Sequence, residues 1–133
     1  METNRITPMV TELADNEVFV FGSNMQGMHM GGAAQLAHEK FGAEWGVHNG
    51  LTGQTYAIPT VDFADEITIQ MIGEYVAEFI EVAKTNENMV FLVTEIGCGI
   101  AGYTVDEIAP MFEECTELDN VYLPKKFWRH YES

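Results

Sequence analysis

The sequence predicts an α/β fold: a three-layer α/β/α sandwich on a mixed or mostly parallel sheet. Short apolar runs alternate with helical patterns along the 133 residues. The runs are nearly continuous in apolar character, as in strands covered on both faces. The resulting order β-α-β-α-β-α-β builds such a sandwich through right-handed crossovers.

The first run, residues 17–21 (EVFVF), is rich in β-branched and aromatic residues and ends at Gly22. A helix follows over residues 32–41, with Ala33, Ala34, Leu36, Ala37 and Phe41 for close packing and Gly42 as its stop. Residues 55–58 (TYAI) form the second strand, ended by Pro59. His48-Asn49-Gly50 reads as a turn before it. Residues 68–84 place Ile72, Tyr75, Val76, Phe79, Ile80 and Ala83 on one helical face, with Glu74, Glu78 and Glu81 largely opposite. Residues 89–94 (MVFLVT) are the strongest strand. Thr104-Val-Asp-Glu107 is a capping box that starts the third helix, with a kink expected at Pro110. Residues 120–123 (NVYL) close the sheet before Pro124, and residues 10–13 are a candidate edge strand. No repeat or linker interrupts the chain, which reads as one domain over residues 1–133.

Charge narrows the function classes. There are 21 acids against 6 Lys and Arg, a net charge of −15. Binding a phosphate backbone or an anionic membrane needs clustered cations, so nucleic acid and membrane are excluded as partners. Hydrophobic residues make up 47% of the chain, enough to build a core rather than a disordered polyanion. The two cysteines, Cys98 and Cys115, form no CxxC pair and no metal ligand set, so no metal or cofactor is expected. A cytoplasmic location follows from reduced thiols and from the lack of a signal-peptide pattern or apolar span.

In parallel α/β sheets ligands bind outside the carboxyl ends of the strands. Two loops there are glycine-rich. The first, Gly22-Ser-Asn-Met-Gln-Gly-Met-His-Met-Gly-Gly-Ala-Ala34, leaves a strand and opens a helix. The second, Glu95-Ile-Gly-Cys-Gly-Ile-Ala-Gly-Tyr103, does the same before Thr104. Glycines admit close backbone approach, and a helix N-terminus offers free N–H groups to an anion. Neither loop is a Walker sequence or a dinucleotide GxGxxG fingerprint. Each also reads as a tight turn with small residues for packing; the pairing at equivalent strand ends favours a diphosphate grip.

These strings resemble macrodomains, the ADP-ribose-binding modules. The runs FGSN, GGAA, FGA, GLTGQTYAIPT, IGCGIAGY and EIAP are similar, more closely, to a macrodomain-like family of small bacterial and phage proteins. The resemblance covers residues 17–112, most of the chain. It implies that Gly22, Ser23 and Asn24 form the first ligand loop, with Asn24 bonding the distal ribose. It implies that Gly31 and Gly32 approach that ribose and a phosphate. It places Gly97, Cys98, Gly99, Ile100, Ala101 and Gly102 on the diphosphate loop and Tyr103 near the ribose. Phe21 and Gly22-Ser23 stand where macrodomains have Asn and two alanines, and no acid matches the adenine-reading position.

Several residues keep two readings. Asn24 either contacts ligand and places water or caps its own turn. His29 is either an acid–base group or a surface histidine. Glu95, with Asp62 in the same ambiguity, is either a ribose-binding base or solvent-facing. Cys98 is either a nucleophile needing His29 or a small residue whose amide matters, and the second is favoured because no third orienting group is evident. Met25, Met28 and Met30 form either an apolar wall for a base or loop filler. The tail around Phe127, Trp128 and Tyr131, with three cations, reads as a segment docked on the acidic body or a subunit contact. The expected function is binding of an ADP-ribose-like or related nucleotide-diphosphate small molecule, with hydrolysis of an ADP-ribosyl linkage through Asn24, His29 and Glu95 as the catalytic version. A Cys98 hydrolase and a protein-interaction module are the alternatives.

Overall fold

The computed structural model describes residues 5–29, 31–99 and 101–132. The fold is α/β, with a five-stranded mixed sheet. Its elements are β1 (Glu17–Asn24), α1 (Gly32–Lys40), β2 (Gly50–Thr52), β3 (Thr55–Val61), α2 (Ile69–Thr85), β4 (Val90–Val93), α3 (Val105–Ile108), a 3-10 stretch (Ala109–Glu117), β5 (Val121–Tyr122) and α4 (Lys125–Glu132). The strand order is β2-β3-β1-β4-β5. β3, β1, β4 and β5 are parallel, and only β2 is antiparallel.

Side chains alternate across the central strand. Val18 and Val20 of β1 join a cluster with α2, the 3-10 stretch and α4. Phe19 and Phe21 join a second cluster with Ala34, Ala37 and Phe41 of α1. Near-continuous apolar strands are thus covered on both faces. Phe79 of α2 centres the larger cluster, its ring 5.1 Å from Tyr56 and 5.5 Å from Phe91. The chain steps from β1 to β3 over one face by way of α1. It returns past β1 to β4 over the other face by way of α2, as two crossovers of the same hand require. A topological switch point therefore lies at the carboxyl ends of β1 and its two neighbours.

Four sequence expectations change. Residues 10–13 form no strand; Val10 and Leu13 instead pack against the α1-side cluster. The reading of His48-Asn49-Gly50 as a turn misses β2, which begins at Gly50 and forms a hairpin with β3 across Gly53 and Gln54. Pro59 does not end β3. It lies beyond the last β2 partner, Ala57, and its missing N–H points to that open edge, where no ladder bond is lost. β1 does not end at Gly22 but runs on through Asn24. The tail, expected as docked on the body or as a subunit contact, is a helix whose Phe127 and Trp128 are buried in the core of its own chain. The capping box at Thr104 and Glu107 is present, and α3 passes into the 3-10 stretch just before Pro110. Among the described residues no helix is long and apolar enough to cross a membrane.

Candidate ligand cavity at the strand ends

A cavity of about 400 Å³ opens at the switch point, between the ends of β1, β3 and β4 and the start of α1. That lies at the lower end of the ~300–1,000 Å³ range of small-molecule sites. The β1 loop contributes Gly22, Ser23, Asn24 and Met28, and the α1 start contributes Gly31 to Ala34. The loop after β4 contributes Glu95, Ile96, Gly97, Gly99 and Ala101. β3 adds Thr60 and Val61, followed by Phe63.

The sheet holds the two glycine loops close. A methyl group on Gly22 would lie 3.6 Å from the Gly97 nitrogen and 3.4 Å from Thr60 Oγ1. Thr94 Oγ1 donates to the Val20 carbonyl at 2.8 Å, tying the end of β4 to β1. Gly97 adopts φ +78°, a left-handed conformation that favours glycine, and its carbonyl accepts from Tyr103 N–H at 2.9 Å. That bond ties together the two ends of the second loop.

The start of α1 differs from the starts of α2 and α3. Thr68 and Thr104 accept backbone N–H groups of α2 and α3. The N-cap of α1 is Gly31, which has no side chain to cap with. First-turn N–H groups have no partner within a helix and carry the positive end of its dipole. Here they adjoin the cavity. Among the described residues, apart from chain neighbours and the helix's own backbone, nothing lies within 4 Å of where a Cβ would sit on Gly31 or Gly32.

Asn24 lines the cavity, and its amide is committed at both ends: Nδ2 donates to the Met28 carbonyl at 2.7 Å and Oδ1 accepts from Met28 N–H at 2.9 Å. It clamps the loop, leaving one N–H and one lone pair of the amide for a ligand. Ser23 is buried and donates to the His48 carbonyl. Glu95 is the only ionisable side chain among the lining residues, and its Oε1 lies 3.6 Å from Lys126 Nζ of α4.

His29, read as either an acid–base group or a surface histidine, is not among the residues that line the cavity. It is 2% exposed, packs edge-on against Phe21 with ring centres 5.4 Å apart, and bonds the Glu44 carbonyl through Nε2. The turn at Gly27 and the Asn24 clamp drive it into the α1-side core. Cys98, Gly102 and Tyr103 also lie off the lining. Gly102 closes the second loop through its N–H to Gly99, and the Tyr103 hydroxyl donates to the Ile67 carbonyl at 3.1 Å. Burial first, then the neighbouring Glu95 charge, raises the pKa of the Cys98 thiol. A nucleophilic cysteine needs the opposite shift. Asp62 is not a lining residue either; it accepts from Gln26 and Ala64, and those bonds lower its pKa. Ile100 and Met30 fall outside the described residues.

Residues that sequence reading missed are Thr60, Val61, Phe63 and Thr94, all at or past strand ends. Among the described residues no group of three His, Cys, Asp or Glu side chains is placed to hold a metal. No family model, curated protein or solved structure matches the chain.

Proposed function

We propose that this cavity binds a nucleotide-diphosphate ligand of the ADP-ribose class, on a three-layer macrodomain-like scaffold. The observation that carries the reading is the convergence of two glycine loops and an uncapped helix start on one nearly uncharged cavity. Backbone N–H groups there suit a diphosphate without requiring cations, so a chain of net charge −15 remains compatible with one small anion.

Thermal shift with ADP-ribose, NAD, ADP and cyclic nucleotides tests it. A true ligand at ~100 times its Kd stabilises the fold by about 2.7 kcal/mol. No shift with any of these nucleotides overturns the proposal.

Binding is the primary activity, and Glu95 is the group through which hydrolysis would run. Glu95→Gln separates the two. For a binding module, removing a carboxylate beside a diphosphate tightens ADP-ribose affinity by about two- to fivefold at low salt. For a hydrolase with Glu95 as base, turnover of an ADP-ribosylated peptide falls by about a hundredfold or more. Calorimetry and a product assay on the same variant read both outcomes.

A further inference from the structure

Glu95 opens the second glycine loop, and its carboxylate is the one ionisable group in the cavity lining. A lone carboxylate there repels an anionic ligand. This one has a partner: its Oε1 lies 3.6 Å from Lys126 Nζ. Lys126 belongs to the first turn of α4, directly after Lys125. The N-terminal end of a helix dipole disfavours cations, so local helix preference does not account for these two lysines. Folding stability does not account for the pair either. The Lys126 and Glu95 side chains are 61% and 45% exposed, and such surface ion pairs contribute little.

Cations are scarce in this chain, six against 21 acids. Arg5 donates to main-chain carbonyls, and Lys84 pairs with Glu81 and Glu114. Among the described residues, Lys126 is the cation whose ion pair reaches the cavity lining. Its charge also acts on the Cys98 thiol of the same loop, where it opposes the rise in pKa that burial and then Glu95 cause. Lys126 thus sits beside the second loop, while no residue of α4 is part of the lining. Its route to a bound ligand runs through Glu95.

We propose that Lys126 is a positioning residue for anion binding: it holds the Glu95 carboxylate towards α4 and offsets its charge, so that the cavity admits a diphosphate. This rests on the nucleotide-diphosphate reading and names what keeps the one carboxylate of the lining from opposing the ligand. The restraint is electrostatic, so salt weakens it. It also requires a carboxylate at position 95, so the effect of Lys126 is coupled to Glu95.

The test is ADP-ribose affinity, by calorimetry, of wild type, Lys126→Ala, Lys126→Arg, Lys126→Glu, Glu95→Gln and the double variant Glu95→Gln with Lys126→Ala. No variant should melt more than about 2 °C below wild type, since an exposed pair contributes little to folding. At about 20 mM salt Lys126→Ala is expected to lose about fivefold in affinity and Lys126→Glu about twentyfold, with Lys126→Arg within about twofold of wild type. In the Glu95→Gln background Lys126→Ala should cost less than about twofold, because the carboxylate it restrains is gone. At about 0.5 M salt the losses should shrink to within about twofold. An equal loss in both backgrounds overturns the action through Glu95. Wild-type affinity in Lys126→Ala at low salt, or a loss that high salt leaves intact, overturns the electrostatic role. Failure of wild type to bind ADP-ribose at all overturns the functional reading beneath it.

Discussion

Arg5→Ala is expected to lower the melting temperature by about 10 °C, corresponding to a loss of about 3 kcal/mol. The Arg5 guanidinium donates to four main-chain carbonyls. Nη1 reaches Leu118 at 2.6 Å, Val121 at 2.5 Å and Cys115 at 3.4 Å, while Nη2 reaches Thr116 at 2.7 Å. These carbonyls belong to the end of the 3-10 stretch, to Leu118 that caps it and to β5. The guanidinium carbon also lies 5.4 Å from the ring centre of buried Trp128. Alanine removes the donors: the Cys115 and Leu118 carbonyls keep backbone N–H partners, from Leu118 and Val121, while the Thr116 and Val121 carbonyls lose the donor that Arg5 gives them, the costly side of hydrogen-bond loss. Arg5→Lys should recover less than half, because an ammonium cannot fork to several carbonyls at once. Thermal denaturation followed by circular dichroism decides it. A melting temperature within about 2 °C of wild type would show that the network contributes little.

That network was not legible in the sequence, and its physical reason is general. Arg5 is bound to residues 110 to 116 positions away, and no local pattern encodes such a contact. The strands were legible because apolar runs bounded by glycine or proline carry their own signal. Their ends were less so, because where a strand stops depends on its neighbour. Pro59 ends a strand only if its N–H is required, and β2 has already ended there. Thr60, Val61 and Phe63 follow that point and carry neither a glycine-rich pattern nor a titratable group to single them out. α4 was missed because Phe127, Trp128 and Tyr131 span too few residues to show a helical period. The glycine loops were legible as loops at strand ends. What they do with His29 was not, since a positive φ at Gly27 and the Asn24 clamp decide which way the next residues turn.

Gly31→Asp is expected to stabilise the fold and abolish ligand binding in the same protein. Gly31 has φ −164° and ψ 163°, extended backbone that any residue adopts, and among the described residues nothing beyond its chain neighbours lies within 4 Å of the position a Cβ would take. A side chain can therefore start from this position without backbone strain or a clash at its Cβ. It places a carboxylate at the N-cap of α1, where it accepts the first-turn N–H groups and opposes the helix dipole. Together these are worth about 0.5–1 kcal/mol, a rise of roughly 2–4 °C in melting temperature. The same carboxylate occupies the place proposed for a ligand phosphate and repels it, so ADP-ribose affinity should fall at least a hundredfold. Gly31→Ser is the neutral control: it caps more weakly, repels nothing and should retain more binding than Gly31→Asp. Denaturation and calorimetry on the three proteins measure both quantities. If Gly31→Asp binds ADP-ribose as wild type does, the free N–H groups of α1 are not the anion site. If it loses binding together with stability, the loss is one of folding rather than of competition. Only opposite signs, higher stability with lost affinity, fit a helix start left uncapped so that a ligand can cap it.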